Sequence, residues 1–354
     1  MTSISLEDLG WGEPFKSAFE KRAVDGELPA RVVEEQRGAY VVRSASGEWL
    51  ATISGRMRHT ALRRVDFPTV GDWVSVNVRP GEKKATLQAI LPRRSKLSRK
   101  ASGKETDEQL IAANLDTVFV VSSMNKDFNT RRLERYLAMI SESGAAPVVL
   151  LSKADLCPDP EVILRDVRAA AGETPIHTLS SVTGQGLSFL DPYLKKGKTI
   201  ALIGSSGVGK STLINRLLGE ERQAVQAVRE GDDRGRHTTT FRRLVSLPQG
   251  GLLIDTPGMR ELQLWEPQGV ADTFSDILAL IDACRFRDCR HHTDAGCAVQ
   301  AAIREGRLAP DRYAHYLQLG KESNDLASRR EDEAQTKANE KIKKARADYK
   351  RERA

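Results

Sequence analysis

A glycine-rich octapeptide constrains the fold of this 354-residue chain more than any other feature. Residues 204–211 read GSSGVGKS, which fits the pattern G-x-x-x-x-G-K-[ST], and they lie between the apolar run KTIALI and the helical sequence STLINRLL. The glycines let backbone N–H groups close around phosphates, and the helix start favours an anion. We therefore expect an α/β domain that binds a nucleoside triphosphate at the end of a parallel strand. The residues assigned to this contact are Gly204, Ser205, Ser206, Gly207, Val208, Gly209, Lys210, Ser211 and Thr212.

Further polar groups are predicted to hold Mg²⁺ and to contact the γ-phosphate. Lys210 should reach the β- and γ-phosphates, and the Ser211 hydroxyl should bind the metal. The motif DTPG follows the apolar run GLLI, so that the Asp255 carboxylate can bind Mg²⁺ through water and the Gly258 amide can contact the γ-phosphate. Between these motifs lies the polar segment REGDDRGRHTTT, residues 229–240, in which one of three consecutive threonines should complete the metal shell. Thr239 is the preferred candidate.

Two short motifs upstream of the phosphate loop indicate guanine as the base. The sequence SKAD follows the apolar run PVVLL, and SSV follows PIHTL. A carboxylate at Asp155 can accept hydrogen bonds from N1–H and the exocyclic amine of guanine, which adenine does not offer, while Lys153 lies along the base. The residues predicted to bind the base of GTP are Ser152, Lys153, Ala154, Asp155, Ser180, Ser181 and Val182.

The order of these motifs is unusual for a GTPase. The guanine motifs come first, and the phosphate loop, the first switch (residues 229–240) and the second switch (from Asp255) follow. The same sheet can still form, because joining the old chain ends and cutting elsewhere preserves the packing. Strand and helix patterns alternate from Asn114 onwards, and they include a helix at residues 186–194. We therefore predict a circularly permuted P-loop GTPase domain at residues 101–266.

The segments around this core differ from it in composition. Five short alternating runs within residues 28–100, separated by glycine-containing turns, are typical of a small β-barrel, and a polar leader (1–27) precedes them. Residues 94–109, RSKLSRKASGKETDEQ, show no apolar periodicity and are interpreted as a basic linker. Residues 267–322 carry three clustered cysteines. The tail (323–354) is rich in Ala, Lys, Arg and Glu, as in a solvent-facing helix or a partly disordered arm.

The clustered cysteines indicate a metal site. Cys284, Cys289, His291 and Cys297 form the pattern C-x4-C-x-H-x5-C in a short, charged segment with few apolar residues. Three thiolates and one imidazole complete a closed tetrahedral zinc site, which stabilises the fold and leaves no position for catalysis. The neighbouring His292 could replace His291 as the fourth ligand. The remaining cysteine, Cys157, lies far away along the chain and is interpreted as incidental.

The motifs GSSGVGKST, GRHTTT and DTPG, in this order and with the Cys-His cluster after them, resemble the circularly permuted GTPases called ribosome small subunit-dependent GTPase A. The resemblance covers nearly the whole chain. It implies a barrel of the oligonucleotide-binding (OB) type, a permuted GTPase core and a mainly helical zinc domain in which His291 is the ligand. It also implies binding to the small ribosomal subunit and its rRNA late in assembly, with ribosome-stimulated hydrolysis of GTP to GDP and phosphate. The family usually has Asn or Thr at the position of Ser152, and we expect a hydroxyl there to preserve guanine selectivity.

The catalytic group is less constrained by the motifs. The residue after the second-switch glycine is Met259, which cannot orient water as a glutamine does, so we expect slow intrinsic hydrolysis that a partner or another residue assists. His237 is the nearest candidate for positioning water, although it could equally pack or face solvent. An alternative function is a nucleotide-gated RNA-binding module in which hydrolysis only resets binding. An ATP-dependent kinase is disfavoured by DTPG and by the guanine motifs.

Charge supports an RNA partner. The formal net charge is +7, and eight Lys or Arg residues with no acid lie between Lys83 and Lys104. A second run, from Lys337 to the end, has eight bases and three acids. Either run alone is equally consistent with RNA binding and with a solvated surface. Two runs that flank a nucleotide-binding core favour RNA. No apolar run approaches the roughly 18–20 residues of a membrane span, and the first residues lack a secretory-signal pattern, so we expect a cytoplasmic monomer that binds neither membrane nor DNA.

Overall fold

A computed structural model describes residues 4–22, 24–79, 81–100, 108–125, 128–219, 242–255, 268–292, 294–325 and 327–328. The strands in these ranges are β1 (Leu28–Gln36), β2 (Ala39–Ser44), β3 (Gly47–Ile53), β4 (Trp73–Val78), β5 (Lys84–Ile90), β6 (Lys96–Lys100), β7 (Glu108–Ala113), β8 (Thr117–Ser123), β9 (Ala146–Ser152), β10 (Ile176–Thr178), β11 (Thr199–Ile203), β12 (Arg243–Ser246) and β13 (Leu252–Asp255).

The α-helices in the same ranges are α1 (Glu13–Glu20), α2 (Gly55–Thr60), α3 (Thr130–Ser143), α4 (Pro160–Ala171), α5 (Lys210–Leu218), α6 (Gln268–Thr273), α7 (Ser275–Asp282), α8 (Ala298–Arg304) and α9 (310–325). The segment predicted as a helix at residues 186–194 is instead a 3₁₀ helix, Leu187–Tyr193, with Pro192 inside it. Within the described part of the chain, no helix has both the length and the apolar character needed to cross a bilayer.

The N-terminal strands close into the predicted five-stranded barrel. The strand order is β1-β2-β3-β5-β4, and pairing of β4 with β1 completes the ring. The one parallel pair in this ring is β3 with β5, and the other pairs are antiparallel. Alternate apolar residues point inward, as their period of two requires, and α2 contributes Met57 to the same core. The buried residues of this core are Ala30, Val32, Val42, Ala51, Met57, Val74, Val76, Ala85 and Leu87.

The permuted core is a twisted α/β sheet with strand order β10-β9-β8-β11-β13-β12. The first five strands are parallel and β12 is antiparallel to β13. Helices cover both faces, which explains why the parallel strands are continuous apolar runs. Leu133 of α3 and Val167 of α4 belong to the core on one face, and Leu213 of α5 belongs to the core on the other. A pairing between Glu34 of β1 and Arg243 of β12 joins the barrel to this sheet.

Two segments for which the sequence predicted no helix or strand are ordered. The interpretation of residues 94–109 as a linker was wrong for the ends of that segment, because β6 pairs antiparallel with β7 and buries Leu97. The polar leader is also packed: α1 lies within it, and Trp11 and Phe15 contact Trp73 of the barrel at ring-centroid distances of 4.6 and 5.8 Å. In residues 94–109 the apolar residues are too few to give a periodic signal, whereas the leader carries Phe15, Ala18 and Phe19 at helical spacing.

A buried arginine ties the barrel to the neighbouring segments. Arg31 on β1 is 1% exposed, and its guanidinium donates to the carbonyl oxygens of Leu9, Gly71 (3.1 Å) and Asn114 (3.1 Å). These acceptors lie in the N-terminal segment, in the turn before β4 and between β7 and β8. Burial lowers the pKa of Arg31 to about 10, so the group remains charged at neutral pH. The clamp therefore fixes three chain segments against one strand.

The C-terminal region packs against α3 of the permuted core. Gly269 on α6 lies so close to α3 that a side chain there would collide with the Ala138 carbonyl. Glu134 of α3 is buried, pairs with Arg312 of α9 and accepts from His315 Nδ1 at 2.5 Å. Residues on either side of the Cys-His segment contribute to the sheet's core; these are Val270, Phe274, Ile277, Val299, Ala302, Leu308 and Leu319.

Candidate functional site

The phosphate loop has the backbone shape that its glycines allow. It leaves β11, the strand between β8 and β13, and ends where α5 begins at Lys210. Gly204, Gly207 and Gly209 have φ angles of 145°, 77° and 94°, and a side chain at Gly204 would collide with the Val121 carbonyl. Lys210 Nζ lies over the loop and donates to the carbonyl oxygens of Gly204 and Ser205 at 2.6 and 2.5 Å. The ammonium group therefore lies where phosphate oxygens would be bound.

Ser152 is fixed against the phosphate loop. The residue ends β9 and is 2% exposed, and its Oγ donates to the Val208 carbonyl at 2.5 Å and also lies 3.2 Å from the Ser122 carbonyl. The next residue, Lys153, adopts a left-handed conformation with φ of 59° and starts the turn that carries Asp155. The hydroxyl therefore connects the first guanine motif to the phosphate loop. A contact of Ser152 with the base itself stays a prediction.

The two guanine motifs lie side by side at the ends of β9 and β10. The Ala154 N–H donates to the Leu179 carbonyl at 3.2 Å, which joins the two loops. Ser180 is buried, and its Oγ accepts from the Thr183 N–H at 3.1 Å. The predicted base-reading carboxylate of Asp155 is exposed, as is the Val182 side chain. Ser181 Oγ is buried and has no hydrogen-bond partner among the described residues.

The described metal-binding candidates converge on the same sheet edge. Ser211 is in the first turn of α5, and Asp255 is the last residue of β13. Because Ala201 of β11 pairs with Ile254, Asp255 lies at the level of the residues that enter the phosphate loop. The other switch candidates, His237, Thr239, Gly258 and Met259, lie outside the described residues.

The motif analysis missed an arginine that contacts the phosphate loop. Arg132, in the first turn of α3, donates from Nη1 to Ser205 Oγ at 2.6 Å. Asn129 caps this helix by accepting from the Arg132 N–H at 2.9 Å, which fixes where the helix begins. The pairing of β8 with β11 places the loops that follow these strands side by side. The position of Arg132 soon after β8, the strand that pairs with β11, is the signal that could have identified this residue.

The four predicted zinc ligands come together in the C-terminal region. The ligand atoms of Cys284, Cys289, His291 and Cys297 all lie within 4.8 Å of one another. Cys284 Sγ and Cys297 Sγ are 3.5 and 3.7 Å from His291 Nδ1. A tetrahedral zinc ion with ordinary Zn–S and Zn–N bonds places such atoms about 3.6 Å apart. This donor set and its spacing are therefore consistent with zinc.

The local fold explains how these ligands are held. His291 adopts φ of 59°, and its carbonyl accepts from Gln300 Nε2 at 2.7 Å. Cys297 is the N-cap of α8, and its sulfur accepts from the Gln300 N–H. Burial raises the pKa of the Cys284 thiol, but hydrogen bonds with the N–H groups of Ala298 and Val299 and with the Cys289 and Cys297 thiols together lower it. Burial and the neighbouring Cys284 and Cys297 groups raise the pKa of the Cys289 thiol to about 11. His292 is exposed and outside the cluster, which favours His291 as the ligand.

Comparisons with known proteins agree with this geometry. The model of the RsgA GTPase family matches residues 90–265. The small ribosomal subunit biogenesis GTPase RsgA of Opitutus terrae is 47% identical over 337 residues, which cover 92% of each chain. The crystal structure of YjeQ from Thermotoga maritima matches 84% of this chain and 98% of its own, with 26% identity and a TM-score of 0.62. The structure of YloQ, described as a circularly permuted GTPase, matches 86% of this chain and 98% of its own, with a TM-score of 0.60; at 24% identity it supports the fold alone.

Proposed function

The chain belongs to the RsgA family and is a GTP hydrolase, and from this premise we propose that it binds the small ribosomal subunit and assists its late maturation. The observation that carries the proposal is the 47% identity to a small ribosomal subunit biogenesis GTPase across 92% of both chains. The proposal assigns rRNA contacts to the barrel (28–100) and to the basic tail (323–354). The other domains that we propose are the permuted GTPase domain (101–266) and the zinc region (267–322). We expect the protein to act as a monomer in the cytoplasm.

In the proposed nucleotide site, each loop supplies a different contact. The Asp155 carboxylate accepts from N1–H and the exocyclic amine of guanine, and its exposure at the end of β9 supports this role. Lys210 transfers its hydrogen bonds from the loop carbonyls to the β- and γ-phosphates. Ser211 and Asp255 hold Mg²⁺, which supplies charge compensation on the phosphates, and Thr239 completes the metal shell.

The residue proposed to position the attacking water is His237. Its support is chemical: Met259 cannot orient water, and an imidazole in the first switch can donate to it or accept from it. The expected consequence of His237→Ala is a loss of subunit-stimulated turnover with GTP affinity unchanged. Stimulated turnover equal to that of the unchanged protein would remove the role.

For the Cys-His cluster, we propose one structural zinc ion bound by Cys284, Cys289, His291 and Cys297. Four protein ligands leave no open coordination position, so the ion would stabilise the fold and take no part in hydrolysis. The cluster links α7 to α8, two helices that pack beside the α3 face of the sheet.

The experiment that tests the proposed function compares GTP turnover with and without isolated small ribosomal subunits. We expect clear stimulation by small subunits and none by large subunits at the same concentration. No stimulation would leave the GTPase assignment intact and overturn the ribosomal one. The alternative, a nucleotide-gated module for another structured RNA, predicts RNA binding in the GTP state without stimulation by small subunits. Blocking hydrolysis while GTP still binds separates the two hypotheses: if hydrolysis only resets binding, assembly on RNA persists and release fails.

A further inference from the structure

One exposed segment of the barrel carries an unusual density of positive charge. Residues 55–64, GRMRHTALRR, contain four arginines and one histidine and no acid. The segment comprises α2 and part of the connection from α2 to β4. It is shorter than either of the two basic runs that favour RNA in the sequence, and it lies outside both. Its charge density nevertheless exceeds theirs.

The side chains of this segment face outward. Met57 is its buried residue, anchored in the barrel core, and the Ser54 hydroxyl caps α2 by accepting from the Met57 N–H at 3.2 Å. Arg56 and Arg58 are exposed, and the Arg63 side chain is 70% exposed. We call these three residues, Arg56, Arg58 and Arg63, the α2 basic face. A single apolar anchor therefore holds a short helix whose remaining surface is cationic.

The acids next to the α2 basic face are already occupied. Asp66 accepts from the N–H groups of Leu62 and Arg63, both at 2.9 Å, and lies 3.9 Å from the Arg63 guanidinium. Glu27 has a side chain that is 6% exposed and accepts from the Ser75 hydroxyl. The two carboxylates cannot fully neutralise the face, because they carry two negative charges and residues 55–64 carry four arginines. The face therefore keeps a net positive potential.

A cleft of about 620 Å³ borders this face. Its lining includes the cations Arg22, Arg56 and Arg93, the polar residues Thr60 and Gln88, and the acids Glu27 and Asp66. Arg93 is fixed by a bidentate pair with Asp72, at 2.8 Å for each nitrogen, so its position does not depend on a ligand. Exposed cations beside an open polar concavity provide several donors for phosphate oxygens at once.

The basic run from Lys83 to Lys104 is a weaker candidate than its charge suggests. Arg93 pairs with buried Asp72, Arg94 with Asp116 at 3.3 Å, and Lys96 with Glu108 at 3.0 Å. These pairs use the cations to hold the barrel and the β6–β7 hairpin together. Residues 101–107, which overlap the end of the run, lie outside the described residues.

We propose that the α2 basic face binds the phosphate backbone of RNA, with the adjoining cleft receiving one of the phosphates. The inference rests on the proposed function, since it names the surface through which the barrel contacts RNA. A regular array of phosphates is the polyanion that this array of guanidinium groups fits. A guanidinium group can donate two parallel hydrogen bonds to the oxygens of one phosphate, which suits it to binding a phosphate backbone. An anionic membrane fits less well, because α2 buries its one large apolar side chain, Met57, and the segment exposes a single large apolar residue, Leu62, which does not form an apolar helix face.

The test measures how RNA binding depends on salt. The Arg56→Ala/Arg58→Ala/Arg63→Ala variant removes three exposed charges and leaves the Met57 anchor in place. The matched control, Arg165→Ala/Arg168→Ala/Lys195→Ala, removes three exposed charges from the permuted domain. Binding to small ribosomal subunits, and to naked RNA extracted from them, is titrated from low to moderate KCl concentrations. A thermal melt and basal GTP turnover confirm that both variants are folded.

We expect the α2 variant to bind naked RNA at least about tenfold more weakly, with the slope of log K against log salt reduced by about 3, one unit for each phosphate that the variant no longer binds. The control variant should match the unchanged protein. Equal losses in both variants would overturn the proposal, since net charge alone would explain them. A loss on intact subunits but not on naked RNA would also overturn it, because the face would then contact a ribosomal protein. Loss of binding to anionic vesicles without loss on RNA would assign the face to membranes instead.

These outcomes are distinguishable from a failure of the proposed function. If the unchanged protein binds naked RNA but shows no response to small subunits, the ribosomal assignment fails. The salt slopes of the α2 and control variants on naked RNA still decide whether the α2 basic face is the RNA-binding surface.

Discussion

The hydroxyl of Ser152 gives the sharpest test of how the site is built. Its Oγ donates to the Val208 carbonyl at 2.5 Å, a bond between residues 56 positions apart that links the first guanine motif to the phosphate loop. Both residues are buried. The Ser152→Ala substitution removes the donor without adding atoms, and the Val208 carbonyl loses that partner. The perturbation therefore changes the shape of the phosphate loop and leaves the Asp155 carboxylate, which is predicted to read the base, unchanged.

The expected size of the effect follows from the burial of this hydrogen bond. Leaving a buried acceptor without its donor costs about 1–2 kcal/mol. If the loop must regain its shape to bind phosphates, that cost appears in the dissociation constant, at about 1.4 kcal/mol for each factor of ten. We therefore expect Ser152→Ala to weaken nucleotide binding by about 5- to 30-fold. The Ser152→Thr variant keeps the hydroxyl and should lose much less.

The assay compares three nucleotides by equilibrium titration with fluorescent analogues. GTP and GDP should weaken by the same factor, because the braced loop contacts the phosphates that both share. Inosine triphosphate, which lacks the exocyclic amine of guanine, should weaken by that factor as well, so that the ratio of GTP to inosine triphosphate affinity is unchanged. A changed ratio would refute the reasoning, since Ser152 would then take part in reading the base.

Three further predictions concern the base, the metal and the barrel junction. Asp155→Asn should lower GTP affinity and raise affinity for xanthosine triphosphate, because an amide can donate to the C2 carbonyl of xanthine; titration with both nucleotides checks this, and retained GTP preference would contradict the assignment. The purified protein should contain one zinc ion per chain by elemental analysis. The Cys289→Ser variant should lose this ion, whereas the His292→Ala variant should keep it. Zinc retained in Cys289→Ser or lost in His292→Ala would contradict the ligand set. Arg31→Met should destabilise the fold by about 3–5 kcal/mol, because three carbonyls lose a charged donor; urea unfolding measures it, and a change under about 1 kcal/mol would show that the clamp is dispensable.

The elements that the sequence predicted well are those encoded by contiguous residues. The helix predicted from residue 210 is α5, and the apolar runs before the guanine motifs are β9 and β10. Their lengths and types follow from apolar periodicity and from glycines that only particular turns accommodate. The Cys-His spacing likewise predicted a cluster whose ligand atoms do converge.

The elements that were predicted poorly from the sequence depend on contacts with residues that are distant in the sequence. The segment around Lys96 gave no periodic pattern, because β6 is ordered by pairing with β7 and not by its own alternation. The same physics applies to charge: Arg93 belongs to a basic run that favours RNA, but the fold places buried Asp72 against it. The Arg132 contact with Ser205 spans 73 positions and has no local signature.

The sequence by itself determined the glycine-rich loop, the order of the motifs, the strands of the barrel and the residues of the Cys-His cluster. Each of these features depends on backbone conformations and donor atoms that a few residues close together in the sequence specify. Tertiary structure alone decided that the Ser152 hydroxyl braces the Val208 carbonyl, which cations form internal ion pairs and which, like Arg58, remain exposed. The reason is physical: a hydrogen bond or an ion pair depends on the distance between two side chains, and folding sets that distance between residues that the sequence keeps far apart.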